Sequence, residues 1–206
     1  MANRTVYVVD HGIGNIRSVT NALALSGYDA RLTRDPNELS DASILILPGV
    51  GNFGGVMSAI QEAGLYESIR DYIYQDKPFI GICVGMQVLF QGSLEAPSTP
   101  GFGLIDGQFK HLSSLGTAEV TPSIGWRELH YQSDRIGTYH LREAYFVHSY
   151  FASSLDDEDL ISSYLWSGNQ IPAHVARGRV HGVQFHPEKS RRDGARFLDA
   201  LIQEIG

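Results

Sequence analysis

Two runs of consecutive apolar residues, Ser43 to Leu47 (SILIL) and Pro78 to Ile82 (PFIGI), each give way to a glycine-bearing turn. A strand that is apolar on both faces must be covered on both faces, and helices flanking a parallel sheet do that. The sequence around the two runs supplies such helices. Thr5 to Asp10 (TVYVVD) is a strand rich in β-branched residues, followed by the turn His11-Gly12-Ile13-Gly14. Asn15 to Ser26 spaces Ile16, Val19, Ala22, Leu23 and Leu25 as a helix does, and Gly27 stops it. Asp29 to Thr33 reads as a weaker strand, and helices are expected near Gly55 to Glu62 and Tyr66 to Gln75. Pro48-Gly49-Val50-Gly51 is too stiff and too Gly-rich to continue the strand before it. The run ending at Ile82 leads directly into Cys83 and a helix over Val84 to Gln91.

Beyond Ser93 the pattern changes. Pro97 to Gly101 is a loop, and Leu104 to Ala176 offers mainly short strands, clearest at Ala144 to His148, Leu160 to Trp166 and Ile171 to Ala176. Ser153 to Asp159 (SSLDDED) reads as a solvated acidic loop, Val180 to Phe185 as a strand, and Ser190 to Ile205 as an amphipathic helix. The expected fold class is α/β: a central, mostly parallel sheet flanked by helices, with antiparallel strands added in the second half. With 206 residues, one domain over 1–206 is the simplest organisation.

Charge and cysteine count narrow the function classes. Sixteen Lys+Arg against 23 Asp+Glu leave a net charge of -7, which argues against a nucleic-acid partner because a phosphate backbone would meet repulsion. No stretch reaches the roughly 18 apolar residues of a membrane span, and the N-terminus has no signal-peptide pattern. A lone cysteine cannot form an internal disulfide, so the cytoplasm is the expected compartment. That thiol is either an inert core residue or a nucleophile.

Its surroundings favour the nucleophile. In Gly81-Ile82-Cys83-Val84-Gly85, Cys83 sits between a buried strand and a helix start, with glycine two residues away on each side. This is the pattern of a strand–turn–helix elbow, whose sharp turn needs small neighbours. A cysteine nucleophile needs an imidazole to accept and return its proton, and the imidazole needs an orienting acceptor. Gly182-Val183-Gln184-Phe185-His186-Pro187-Glu188 supplies both. His186 follows a strand, and Glu188, two residues on, lies on the same side of an extended chain. Leu47-Pro48-Gly49-Val50-Gly51 leaves another strand end with two glycines, so backbone N–H groups there can approach a ligand. No metal site is expected: there is no His-x-x-x-His and no second cysteine, and His174 and His181 read as packed strand residues. Gly12-x-Gly14 lacks the third glycine of a dinucleotide fingerprint, and no cofactor is expected.

Together these segments resemble the class I glutamine amidotransferases. The resemblance covers nearly the whole chain and rests on Asp10-x-Gly12-x-Gly14-Asn15, Leu47-Pro48-Gly49-Val50-Gly51-x-Phe53, Gly81-Ile82-Cys83-x-Gly85-Met86-Gln87, Tyr145 to Tyr150 and Gly182-x-Gln184-Phe185-His186-Pro187-Glu188-Lys189-Ser190. The PGVG, GMQ, HSY and FHPEKS segments are most similar to the glutaminase subunits of imidazole glycerol phosphate synthases. The resemblance implies that Cys83 attacks the side-chain amide of L-glutamine, with His186 as base and then acid, and Glu188 orienting it. It implies a glutamine pocket at Gly49, Val50, Gly51, Val84, Gln87, His148, Ser149 and Tyr150. The N–H of Val84, with one from the Pro48 to Gly51 segment, would serve as oxyanion donor. It further implies a heterodimer in which ammonia passes to a (β/α)8-barrel cyclase. The products there would be imidazole glycerol phosphate and aminoimidazole carboxamide ribotide, in histidine biosynthesis.

The chain departs from the family pattern at His11, commonly Tyr, and at Pro122-Ser123-Ile124-Gly125-Trp126-Arg127, commonly Pro-His-x-Gly-Trp-Asn. The resemblance implies that these segments face the synthase partner. Other readings stay open at this point: a paralogue supplying ammonia to a different cyclase-like partner, a stand-alone Cys-His amide hydrolase, or a non-catalytic module with a buried cysteine.

Overall fold

A computed structural model describes residues 5–132 and 140–206. The first half alternates strand and helix: β1 (Thr5–Val9), α1 (Ile16–Leu25), β2 (Asp29–Thr33), α2 (Pro36–Asp41), β3 (Leu45–Gly49), α3 (Phe53–Glu62), α4 (Tyr66–Tyr74), β4 (Phe79–Cys83) and α5 (Val84–Gln87). The second half is mainly strands: β5 (Phe90–Ser93), β6 (Ile105–His111), β7 (Ser123–Glu128), β8 (His130–Tyr131), β9 (Glu143–His148), β10 (Tyr150–Ser153), β11 (Leu160–Trp166), β12 (Asn169–Arg177) and β13 (Val180–Val183). Helix α6 (Arg191–Ile205) follows.

Among the described residues, eight strands form one mixed sheet in the order β2-β1-β3-β4-β13-β12-β11-β8. Its first five strands are parallel, and β12, β11 and β8 extend it antiparallel. Smaller sheets, β10-β6-β5 and β7-β9, complete the second half. The architecture is the expected mixed α/β arrangement, with helices flanking a large central sheet. Strands β3 and β4 are buried along their whole length, as their unbroken apolar sequences require. Helix α6 buries Phe197, Leu198, Leu201, Ile202 and Ile205, each contributing roughly 1.5–3 kcal/mol relative to an exposed position. No described helix is long and apolar enough to cross a membrane.

Several local expectations are corrected. Strand β3 runs through Pro48 to Gly49, with Pro48 opposite Ile82 and Gly49 opposite Cys83. Pro48 is tolerated because its nitrogen faces the β1 side, where pairing has already ended at Val8 opposite Ile46. Helix α5 ends at Gln87 rather than Gln91, and Phe90–Ser93 becomes a strand because it pairs with β6. In the Ser153 to Asp159 loop, Asp159 is buried and ion-paired with Arg177, 2.5 Å away. Helix α2 escapes periodicity because it is six residues long, and it is held by Pro36 in its first turn and an Asp35 cap on the Asn37 N–H.

Candidate active site

Register decides what meets at the C-terminal edge of the central sheet. Strands β4 and β13 are parallel neighbours, with Val183 opposite Ile82. One residue further on, Cys83 and Gln184 leave the sheet side by side, and His186 follows two residues later. Two segments a hundred positions apart in sequence thus meet at one sheet edge, where open α/β sheets place their sites.

Cys83 ends β4 and caps α5 with φ +57° and ψ −109°, the left-handed elbow that its flanking glycines predicted. The turn closes because nothing projects from those glycines. A Cβ on Gly81 would strike the Gly85 carbonyl, and one on Gly85 would strike the Leu47 carbonyl. The thiol is less exposed than a protruding elbow implies: Cys83 is 5% accessible and lines a cavity of about 230 Å³. That volume lies below the roughly 300–1,000 Å³ of drug-sized sites and suits a ligand as small as an amino acid.

His186 and Glu188 are almost completely buried, and the His186 Nδ1–H donates to Glu188 Oε1 at 2.7 Å. The pairing does not come from extended spacing, since Pro187–Lys189 forms a 3-10 turn that carries the carboxylate back to the ring. Nε2 has no hydrogen-bond partner among the described residues, yet the Cys83 sulfur is near enough to act on the ring, a looseness common before substrate binds. Burial opposes a charged imidazole at His186, but the Cys83 sulfur and then Glu188 outweigh it, and its pKa is pushed up to about 10. The arrangement keeps a proton on the imidazole beside the nucleophile, ready for the leaving group.

The cavity is lined by Gly51, Cys83, Val84, Gln87, Glu95, Pro122, Val147, His148, Ser149 and Tyr150. Of the anticipated pocket residues, Gly51, Val84, Gln87, His148, Ser149 and Tyr150 lie on it, whereas Gly49 and Val50 do not. Gly49 is instead packed against Val84 and Gly85. The His148 ring is fully engaged: Nδ1–H donates to the Tyr150 carbonyl at 2.8 Å, and Nε2 accepts from the Tyr164 hydroxyl at 2.9 Å. Burial holds His148 neutral, with its pKa lowered to about 4. It can therefore shape the cavity wall but has no ring nitrogen left for a ligand.

Sequence reasoning missed Glu95, whose carboxylate lies on the cavity and accepts the Phe53 N–H at 2.7 Å. Nothing in its polar loop distinguishes it from a surface acid. The positions that depart from the family pattern are partly buried and partly exposed. His11 is buried and bonds the Pro48 carbonyl through Nε2 at 2.7 Å. Ser123 is buried, and Arg127 stacks over Trp166 and pairs with Glu119, while Ile124 and Trp126 of that segment are exposed.

The chain matches the family model described as "Glutamine amidotransferase class-I" over residues 7–203. It is 38% identical to "Imidazole glycerol phosphate synthase subunit HisH" of Lactococcus lactis subsp. lactis (strain IL1403), covering 98% of this chain and 100% of the relative. It is also 38% identical to "Imidazole glycerol phosphate synthase hisHF, chloroplastic" of Arabidopsis thaliana, covering 98% of this chain and 34% of that protein. Among solved structures it resembles "Structure of PurLQS from Thermotoga maritima", with a TM-score of 0.75, 21% identity and coverage of 98% and 99%, a likeness of fold.

Proposed function

The chain belongs to the class I glutamine amidotransferases, among the HisH subunits of imidazole glycerol phosphate synthase, and we propose that Cys83, His186 and Glu188 carry out its chemistry. Its reaction is the hydrolysis of L-glutamine to glutamate and ammonia in histidine biosynthesis. The observation that carries the residue assignment is the juxtaposition at the β4–β13 edge: a strained cysteine beside an imidazole whose far nitrogen is held by a buried carboxylate.

Glutamine enters the cavity with its side-chain amide at the Cys83 sulfur. Sulfur attacks the amide carbon, and the oxyanion is held by the Val84 N–H together with one from the segment ending at Gly51. The His186 imidazolium protonates the leaving nitrogen, ammonia departs, and a glutamyl thioester remains. His186, now neutral, takes a proton from water, which cleaves the thioester and returns the thiol. Gln87, Ser149 and Tyr150 hold the amino-acid end, and Glu95 places a negative charge where an α-ammonium group can pair with it.

Ammonia released here has to be consumed elsewhere, and we assign that step to a (β/α)8-barrel cyclase in a cytoplasmic heterodimer. The hisHF relative, of which the matched segment makes up 34%, supports a synthase that needs a further part. Exposed Ile13, Ile124 and Trp126 supply apolar surface for that partner. The deciding experiment is glutamate release by the chain alone and with the cyclase plus its acceptor nucleotide. Strong stimulation is expected, and a high rate from the chain alone would favour a stand-alone hydrolase. Cys83→Ala should abolish glutamate release while preserving partner binding.

A further inference from the structure

One buried polar side chain at the site has no part in the chemistry above. Gln184 is 1% exposed and occupies the position beside Cys83 at the β4–β13 edge. Its Nε2 donates to the Cys83 sulfur at 3.7 Å, and its Oε1 accepts from Gln87 Nε2 at 3.1 Å. Gln87 in turn lines the cavity.

The polarity of this chain of amides is set by the sulfur. Gln184 presents its N–H₂ to the sulfur, which accepts, and keeps its carbonyl on the opposite side. That carbonyl calls for a donor, which turns the Gln87 N–H₂ inward. With its nitrogen turned toward Gln184, Gln87 offers its Oε1 as the acceptor for a ligand in the cavity. A carbonyl oxygen is the group that meets an α-ammonium.

We propose that Gln184 is a positioning residue that couples the nucleophile to recognition of the amino-acid end, steadying the Cys83 thiolate and orienting Gln87 to accept from the substrate ammonium. The orientation of Gln87 rests on the glutaminase reading, while the effect on the sulfur does not. A hydrogen bond to a charged acceptor is worth more than one between neutral groups, and losing it leaves a detectable change in reactivity.

The test uses two variants of the full chain. Gln184→Met removes both hydrogen bonds at similar size, and Gln184→Glu keeps the shape but aims a carboxylate at the sulfur. Iodoacetamide alkylation of Cys83, followed across about pH 6 to 10, should be about tenfold slower at neutral pH in Gln184→Met and slower again in Gln184→Glu. All three proteins should converge at alkaline pH. Profiles that overlay the wild type would overturn the first half of the proposal. For the second half, glutaminase KM is measured with the barrel cyclase present. Gln184→Met should raise it about tenfold, and the double variant with Gln87→Met should be no worse than Gln87→Met alone. Additive penalties would sink the link to Gln87. If both Gln184 variants fail to fold, the residue is a packing element and the proposal is wrong. A wild type that releases no glutamate would remove the glutaminase reading and leave the alkylation profiles to decide the sulfur half.

Discussion

A non-glycine residue at φ +57° and ψ −109° carries backbone strain of order 1–3 kcal/mol, and Cys83 is held there by the strand before it and the helix after it. Relief of that strain is measurable. Cys83→Gly should be more stable than Cys83→Ala by about 1 kcal/mol in urea denaturation, even though glycine ordinarily weakens folded segments. The reverse order would mean that the elbow is not strained. At the same scale, Glu188→Gln should lower glutaminase kcat by on the order of 10²- to 10⁴-fold, with a much smaller effect on KM. The amide keeps the size of the side chain but removes the charge that helps hold the His186 proton. These residues could be read from sequence because each carries its signal within two positions: glycines on either side of Cys83, and Glu188 next but one to His186. Glu95 could not be, because its partners, the cavity and the Phe53 N–H, lie far away in the chain.

At the scale of elements, the site is held by backbone approaching backbone. Gly85→Ala would push a methyl group into the Leu47 carbonyl, an atom fixed in the middle of β3. The expected cost is at least about 3 kcal/mol, read as a lowered urea midpoint, because neither strand nor helix can retreat from the contact. A fully stable variant would show that α5 can move away from β3. Strand and helix types in the first half follow from apolar periodicity, which acts within a few residues. The ends of β3 and α5 do not follow from it. Pro48 stays in a strand only because its nitrogen faces the side where β1 pairing has ceased, and Phe90–Ser93 is a strand only because β6 lies beside it. Pairing with a distant segment overrides local preference there.

Across the whole molecule, a second buried pair governs behaviour in acid. His174 and His181, on adjacent strands β12 and β13, are hydrogen-bonded at 3.0 Å, and His174 Nδ1 has no hydrogen-bond partner among the described residues. Burial lowers His181 to about 4, and burial followed by repulsion from His181 takes His174 well below its usual value. The unfolded chain, with histidines near 6.5, binds more protons than the folded one between about pH 6.5 and 4. Stability from this pair is therefore complete above about pH 6.5 and is lost as pH falls toward 4, by on the order of 3 kcal/mol for His181 alone. Urea midpoints at pH 7 and pH 5 should differ accordingly, and His181→Phe should flatten the difference. An unchanged acid limb in that variant would place the sensitivity elsewhere, His148 being the next candidate because burial also takes it to about 4.

The amino-acid order alone determined the α/β class, the elbow at Cys83 and the pairing of His186 with Glu188, because each depends on spacing within one strand, helix or turn. Only the assembled sheet decided that Cys83 and His186 meet at one sheet edge, that Gln184 reaches the sulfur, and that Glu95 rather than Gly49 or Val50 lines the cavity. Those outcomes depend on which strands become neighbours and in what register, and that is set by burying apolar faces across the whole chain.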